Sequence, residues 1–275
     1  MPDRDLDLRL LTARAVAAEA GKLAYDYFTR RGQLEIERKG MQDLVSVADR
    51  AVEDLIRAHL SDAFPEDDLL GEERGGAERR PGAGLWVIDP IDGTANFLRG
   101  MPYWSVAIAY VVENRVQIGV TYDPVHDDLL WARRGGGAYR NQALIRVSGC
   151  TDPKQAVIGS TFTFKMNKDA YVSLIQGLLL AGSDHRRMGS TALMMCHVAD
   201  GRLDGCATGY CNSWDVIGGL LLAEEAGGIA SDFIADNGLM APGSALGCAP
   251  GLHAALEEIR KRASVLAVDA AGRPI

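Results

Sequence analysis

The chain has no C-x-x-C pair, and its five cysteines, Cys150, Cys196, Cys206, Cys211 and Cys248, are odd in number. That pattern argues against a disulfide framework or a cysteine zinc site and points to reduced, cytoplasmic thiols. The first residues include Asp3, Arg4, Asp5, Asp7 and Arg9, which do not make a signal peptide. No apolar run is long enough to span a bilayer, so no membrane partner is expected. No Ser-His-Asp set is evident, and the five histidines show no ligand spacing, which argues against a triad hydrolase. Basic residues are in deficit, 29 Lys and Arg against 37 Asp and Glu. The resulting net charge of −8 argues against a nucleic-acid-binding surface.

What is present is an ordinary globular composition, 47% hydrophobic and 24% charged over 275 residues. That length builds one large domain or two subdomains. The pattern changes around Arg146 to Thr151, which divides the chain into an N-terminal α+β part (1–145) and a C-terminal α/β part (146–275).

The apolar spacing predicts a long amphipathic helix from about Leu6 to Arg31, ended by Gly32. A strand is expected at Leu34 to Arg38 and a second helix from Asp43 to about Leu60. Tyr103 to Val112 and Val116 to Tyr122 read as a hairpin around Glu113-Asn114, with Leu129 to Ala132 as a further strand. In the second half, strands are expected at Ala156 to Phe162, Leu203 to Thr208, Ile229 to Phe233 and Ser244 to Cys248. Helices are expected at Asp169 to Leu180, after Thr191 to about Ala199, from Val216 to Ala226, and from Pro250 to about Arg262.

One stretch organises the rest: Leu85-Trp86-Val87-Ile88-Asp89-Pro90-Ile91-Asp92-Gly93-Thr94. A buried strand ends in an acid, and Pro90 lacks the N–H that would continue it, so the chain is expected to leave the sheet there. Asp89 then sits at a strand's carboxyl end, where open α/β sheets put ligands. Asp92 follows after two residues. Carboxylates held that close call for a cation between them. Oxygen donors of this kind suit Mg²⁺, Mn²⁺ or Ca²⁺. Gly93 and Thr94 add backbone N–H groups and a hydroxyl that can hold a phosphate.

Three other places carry acids that can join this pair. Glu72 or Glu73, in Gly71-Glu72-Glu73, can complete a three-carboxylate cluster if the glycine-rich loop after them folds back. Asp49 fits either a helix cap with Ser46 or an outer carboxylate that orients water. Asp215, in Asn212-Ser213-Trp214-Asp215, fits either a helix cap or a further metal ligand at a helix N-terminus.

In this order, the blocks Gly71-Glu72-Glu73, Trp86 to Phe97, and Trp214-Asp215 through Glu225-Ala226-Gly227-Gly228 resemble the inositol monophosphatase family of Mg²⁺-dependent phosphatases. The weaker Asp43-Leu44-Val45-x-x-Ala48-Asp49 fits as well. The resemblance covers most of the chain and implies a layered αβαβα sandwich, usually a homodimer. It implies two or three Mg²⁺ ions, with Mn²⁺ able to substitute and Li⁺ or Ca²⁺ inhibiting.

Carried over residue by residue, it makes Glu72 a metal ligand that helps activate water and Asp89 the carboxylate shared by two metals. The Ile91 carbonyl reaches the first metal, while Asp92 and Asp215 bind the second. Thr94, supported by Asp49, orients the attacking water. Gly93, Thr94, Ser190, Thr208 and Asp215 are the expected substrate contacts, and Lys39 matches a basic residue near the site only with one alignment gap.

The implied activity is hydrolysis of a small phosphate monoester. One departure matters: inositol-specific members carry a glutamate where this chain has Thr208. Histidinol phosphate, or a nucleotide or sugar phosphate, is therefore an alternative substrate. A role in RNA metabolism, which some bacterial relatives combine with this fold, is an alternative of another class.

Overall fold

A computed structural model describes residues 3–33, 36–40, 43–76, 80 and 82–265, and of residues 3, 33, 36–40, 43–46, 264 and 265 the backbone alone. The first half runs α1 (Asp3–Thr29), β1 (Ile36–Gly40), β2 (Asp43–Ser46), α2 (Val47–Ala63), β3 (Asp68–Gly71), β4 (Gly75–Gly76), β5 (Leu85–Asp92), α3 (Thr94–Arg99), β6 (Ser105–Val112), β7 (Arg115–Asp123), β8 (Asp128–Arg133), β9 (Ala138–Arg140) and β10 (Ala143–Leu144). The second half runs β11 (Val157–Ser160), α4 (Lys168–Leu180), β12 (Asp184–Arg186), α5 (Thr191–Ala199), β13 (Gly205–Cys211), α6 (Ser213–Glu225), β14 (Ile229–Ala230), α7 (Phe233–Asn237), β15 (Gly243–Cys248) and α8 (His253–Val265).

Strands β3 to β10 form an eight-stranded sheet in the order β10-β9-β8-β7-β6-β5-β3-β4, and the rest of the second half forms a five-stranded sheet in the order β12-β11-β13-β15-β14. Helix α1 packs on β6 to β8 and α2 on β5, covering one face of the larger sheet. Helices α5 and α6 touch strands of both sheets, and α8 lies on β13 and packs with α4. The layers are therefore helix, sheet, helix, sheet, helix, the sandwich that the resemblance implies.

Two differences from the sequence reading have local causes. Residues 43–46, expected to begin a helix, instead form a strand paired antiparallel with β1, and α2 starts only at Val47. Val45 is a β-branched residue type, which suits a paired ladder better than a helical turn. The chain also does not leave the sheet at Pro90. Pairing with β6 breaks after Asp89 and resumes at Asp92 opposite Ser105, so the missing N–H is absorbed by a bulge.

Strand β5 is buried along its whole length. Full burial of side chains such as Val87 and Ile88 contributes roughly 1.5–3 kcal/mol each, which fixes the strand's register. Helix α6 crosses the sheet where two glycines meet: a Cβ on Gly119 would stand 2.5 Å from the carbonyl oxygen of Gly218. This close approach brings the start of α6 to the end of β5.

Candidate active site

Three carboxylates converge at the end of β5. One oxygen from each of Asp89, Asp92 and Asp215 lies within 4.8 Å of the others. Asp89 and Asp92 are almost completely buried. Glu72 joins them in the cleft from the turn after β3, close enough for its charge to act on Asp89. Of the acid pair expected to supply a ligand, Glu72 is the one that reaches the cluster.

The electrostatics are those of like charges held out of water. Burial, then the charge of Asp215, pushes Glu72 well above the usual carboxylate range. Burial and the charge of Glu72 do the same to Asp89. Burial raises Asp92 to about 6 although Ser190, Ala192 and Thr191 donate to it. Asp215 is raised to about 7 by burial and then by Asp92. Crowding of this kind is costly unless a cation neutralises it. An all-oxygen donor set fits a hard divalent ion such as Mg²⁺.

Each acid is held by bonds that local sequence explains only in part. Asp92 sits on the N-terminus of α5: the Ser190 hydroxyl donates to it, and the N–H groups of Thr191 and Ala192 donate at 3.1 and 2.8 Å. Asp215 accepts from the N–H of Asn212 at 2.7 Å, so it closes the cap of α6, and it also offers an oxygen to the cluster. The cap is present, and the same carboxylate contributes to the acid cluster. The Ile91 N–H donates to Asp89 at 3.1 Å.

Thr94 opens α3, and its Oγ lies 3.2 Å from Asp49 Oδ1 and 3.0 Å from the Ile91 carbonyl oxygen. Asp49, 2% exposed, reaches Thr94 from the first turn of α2. Gly93 precedes α3 with φ 96°, a conformation natural only to glycine. Its N–H and that of Thr94 lie at the helix end where N–H groups have no partner within the helix.

Glu72, Asp89, Asp92, Gly93, Thr94 and Asp215 line a cleft of about 660 Å³, together with Thr161 to Lys165, Arg187 and Tyr210. Ser190 and Thr208, both expected to touch substrate, are fully buried and are not among the residues lining the cleft. The Thr208 hydroxyl is taken up by Thr161 and by the Tyr210 backbone, 3.0 Å from the carbonyl oxygen. The side chains of Lys39 and Ser46 lie outside the described residues.

The sequence reading did not find Glu53. It is fully buried on α2, and Gly71 leaves room for it, since a Cβ there would fall 2.0 Å from Glu53 Oε1. Glu53 accepts from the N–H groups of Glu73 and Arg74 at 2.7 and 3.2 Å and pairs with Arg57 at 2.7 Å. It therefore clamps the turn that carries Glu72. The available signal was its place four residues after Asp49 and four before Arg57, on one helix face. Asn96 was also missed as a positioning group: its side-chain amide donates to the carbonyls of Tyr103 and Met188, both at 2.8 Å.

The fold and site define a five-layer α/β protein with a carboxylate cluster built for hard cations, set in an open cleft. The chain belongs to the inositol monophosphatase family, whose sequence model matches residues 5–264. It is 36% identical over 230 residues to the Nus factor SuhB of Haemophilus influenzae, covering 83% of this chain and 86% of that one. It is 37% identical over 235 residues to the inositol-1-monophosphatase of Mesorhizobium japonicum, covering 83% and 88%. The crystal structure of the extragenic suppressor protein suhB from Bartonella henselae superposes with a TM-score of 0.86 at 29% identity, covering 93% of this chain and 99% of that one. The Nus-factor name of one relative weighs against the expectation that nucleic acid is no partner.

Among the described residues, no helix is long and apolar enough to cross a membrane. All five cysteines are free. Burial pushes the thiols of Cys196 and Cys206 up to about 12, so neither suits a nucleophile's role.

Proposed function

We propose that the protein is a Mg²⁺-dependent phosphatase that hydrolyses a small phosphate monoester by in-line attack of water. The observation that carries this reading is the convergence of the Asp89, Asp92 and Asp215 oxygens within 4.8 Å in a cleft, with Thr94 beside them. Asp89, Asp92, Asp215, Glu72 and the Ile91 carbonyl would hold the ions. When bound, the ions supply positive charge that lowers the pKa of water and neutralises phosphate oxygens.

The chain's own groups do the rest. Asp49 accepts the Thr94 proton, which leaves the Thr94 oxygen to accept from the attacking water and fix its direction. Glu72, which lines the cleft beside the acids, takes the proton that this water gives up. The Gly93 and Thr94 N–H groups hold a phosphate oxygen at the start of α3. Ser190 and Thr208 act from behind the wall, Ser190 by orienting Asp92 and Thr208 by bracing Tyr210. Residues 1–145 and 146–275 are two structural units that each contribute metal ligands. The protein is a cytoplasmic homodimer in this reading, and five free thiols suit a reducing compartment.

A second reading, a role in RNA metabolism, is favoured by the relative named Nus factor. A phosphate-release panel over monoesters, run beside a gel shift with RNA, separates the two. Mg²⁺-dependent release supports the phosphatase, whereas an RNA shift with no release on any monoester supports the alternative.

A further inference from the structure

In-line displacement puts the attacking and leaving oxygens on opposite sides of phosphorus. Thr94, Asp49 and Glu72 occupy the attacking side, so the ester oxygen departs toward the wall that holds Lys165 and Arg187. An alkoxide is too basic to leave readily without a proton donor beside it. The wall offers two cationic side chains for that task, and they are not equivalent.

Arg187 is already engaged. It lies over the Phe162 ring at 6.0 Å and donates to the Phe162 carbonyl at 3.4 Å. A guanidinium also gives up no proton in proteins, so it can offer charge but not acid catalysis. Lys165 reaches the cluster instead. It lines the cleft, and its charge is felt at Asp215, acting against the upward push of burial and Asp92.

The root of the Lys165 side chain is held from both directions. Its N–H donates to the Thr163 hydroxyl at 3.4 Å. Met166 is buried against Gly209, where a Cβ would fall 2.3 Å from the methionine's terminal methyl. Asn167 caps α4, accepting from the Ala170 N–H at 2.9 Å. A donor placed this way arrives at the departing oxygen with part of its ordering cost already met by the fold.

From this placement we infer that Lys165 is a catalytic residue that serves the leaving group, its ammonium donating to the ester oxygen as the P–O bond breaks. This rests on the phosphatase reading and deepens it. The oxygen of the attacking water forms the new bond to phosphorus, and its proton goes to Glu72. The electron pair of the broken bond goes to the ester oxygen, which takes a proton from Lys165 Nζ. Solvent water then returns a proton to the amine.

The test measures kcat and KM at saturating Mg²⁺ for two esters. Glycerol 2-phosphate has an alkoxide leaving group, whereas the phenolate of p-nitrophenyl phosphate leaves without a proton. Wild type, Lys165→Met and Lys165→Arg are compared. Lys165→Met should lower kcat on glycerol 2-phosphate by about 100-fold and raise the preference for the aryl ester by about tenfold or more, on the scale of a lost general acid. Lys165→Arg keeps the charge but gives up no proton, so it should recover KM without recovering kcat. A fall of equal size on both esters, a Lys165→Met enzyme of wild-type activity, or full recovery of kcat in Lys165→Arg overturns the inference while the phosphatase reading stands. A wild type that releases phosphate from neither ester overturns that reading, and this inference with it.

Discussion

The Ser190 hydroxyl donates to the Asp92 carboxylate across 98 positions of sequence, tying the cap of α5 to the bulged end of β5. The same oxygen accepts from the Leu193 N–H, so one side chain both caps a helix and aims a metal-facing acid. Ser190→Ala should weaken Mg²⁺ binding by about 10–100-fold, the usual cost of losing a group that orients a ligand. It should also lower stability by about 1 kcal/mol through the lost cap. Calorimetric Mg²⁺ titration and thermal unfolding read the two effects separately. An unchanged Mg²⁺ affinity would show that the backbone N–H groups of Thr191 and Ala192 hold Asp92 unaided.

Glu53 gives a second prediction. Glu53→Ala leaves Arg57 and the N–H groups of Glu73 and Arg74 without their common acceptor. Breaking a buried pair from one side costs about 3–5 kcal/mol. Denaturant unfolding should show that loss, and Glu53→Gln, which keeps an acceptor, should recover part of it. A Glu53→Ala protein of wild-type stability would mean that the turn carrying Glu72 is held by other contacts.

How far the sequence could be read depends on how local the cause is. Leu85–Asp92 was legible because its run of apolar residues and the acids around Pro90 lie side by side. Asp215 was legible because its own helix start marks it. The Asp92–Ser190 and Glu53–Glu73 contacts were not legible, because each joins segments that only the packed layers bring together, and the Asp49–Thr94 pairing was expected only through the family resemblance. Thr208 was misplaced for a related reason. The direction of its side chain depends on the irregular pairing of β13 with β15 between Thr208 and Cys211, which the local sequence does not display.

Asp89 and Asp49 differ in what they touch, and their variants should differ accordingly. Asp89 belongs to the acid cluster, whereas Asp49 reaches Thr94 at 3.2 Å. Asp89→Asn should abolish turnover, while Asp49→Asn should lower kcat by about 10–100-fold. Measured kcat values at saturating Mg²⁺ decide this. An Asp49→Asn enzyme that is the less active of the two would reverse the assignment.

The crowded acids also set a pH dependence for the metal-free protein. Asp92 and Asp215 are raised to about 6 and about 7, above the 3.8 of an ordinary aspartate. The folded state therefore binds protons more tightly than the unfolded state between about pH 4 and pH 7. Stability in chelator is highest on the acid side of this window and falls as pH rises through it. A fall on the order of 2 kcal/mol, or roughly 4–8 °C in Tm, is expected between pH 5 and pH 7.5. Mg²⁺ should remove most of it by neutralising the cluster. Thermal melts at the two pH values with and without Mg²⁺ test this, and a chelated protein that gains stability with rising pH would contradict it.

The central claim is that the Asp89, Asp92 and Asp215 cluster hydrolyses phosphate monoesters with Mg²⁺. The most direct measurement is phosphate release from a monoester by protein stripped with chelator, before and after Mg²⁺ is restored. The account predicts no turnover in chelator, recovery with Mg²⁺, suppression by added Li⁺ or Ca²⁺, and no recovery in Asp89→Asn. Full turnover in excess chelator, or equal turnover in Asp89→Asn, would contradict it.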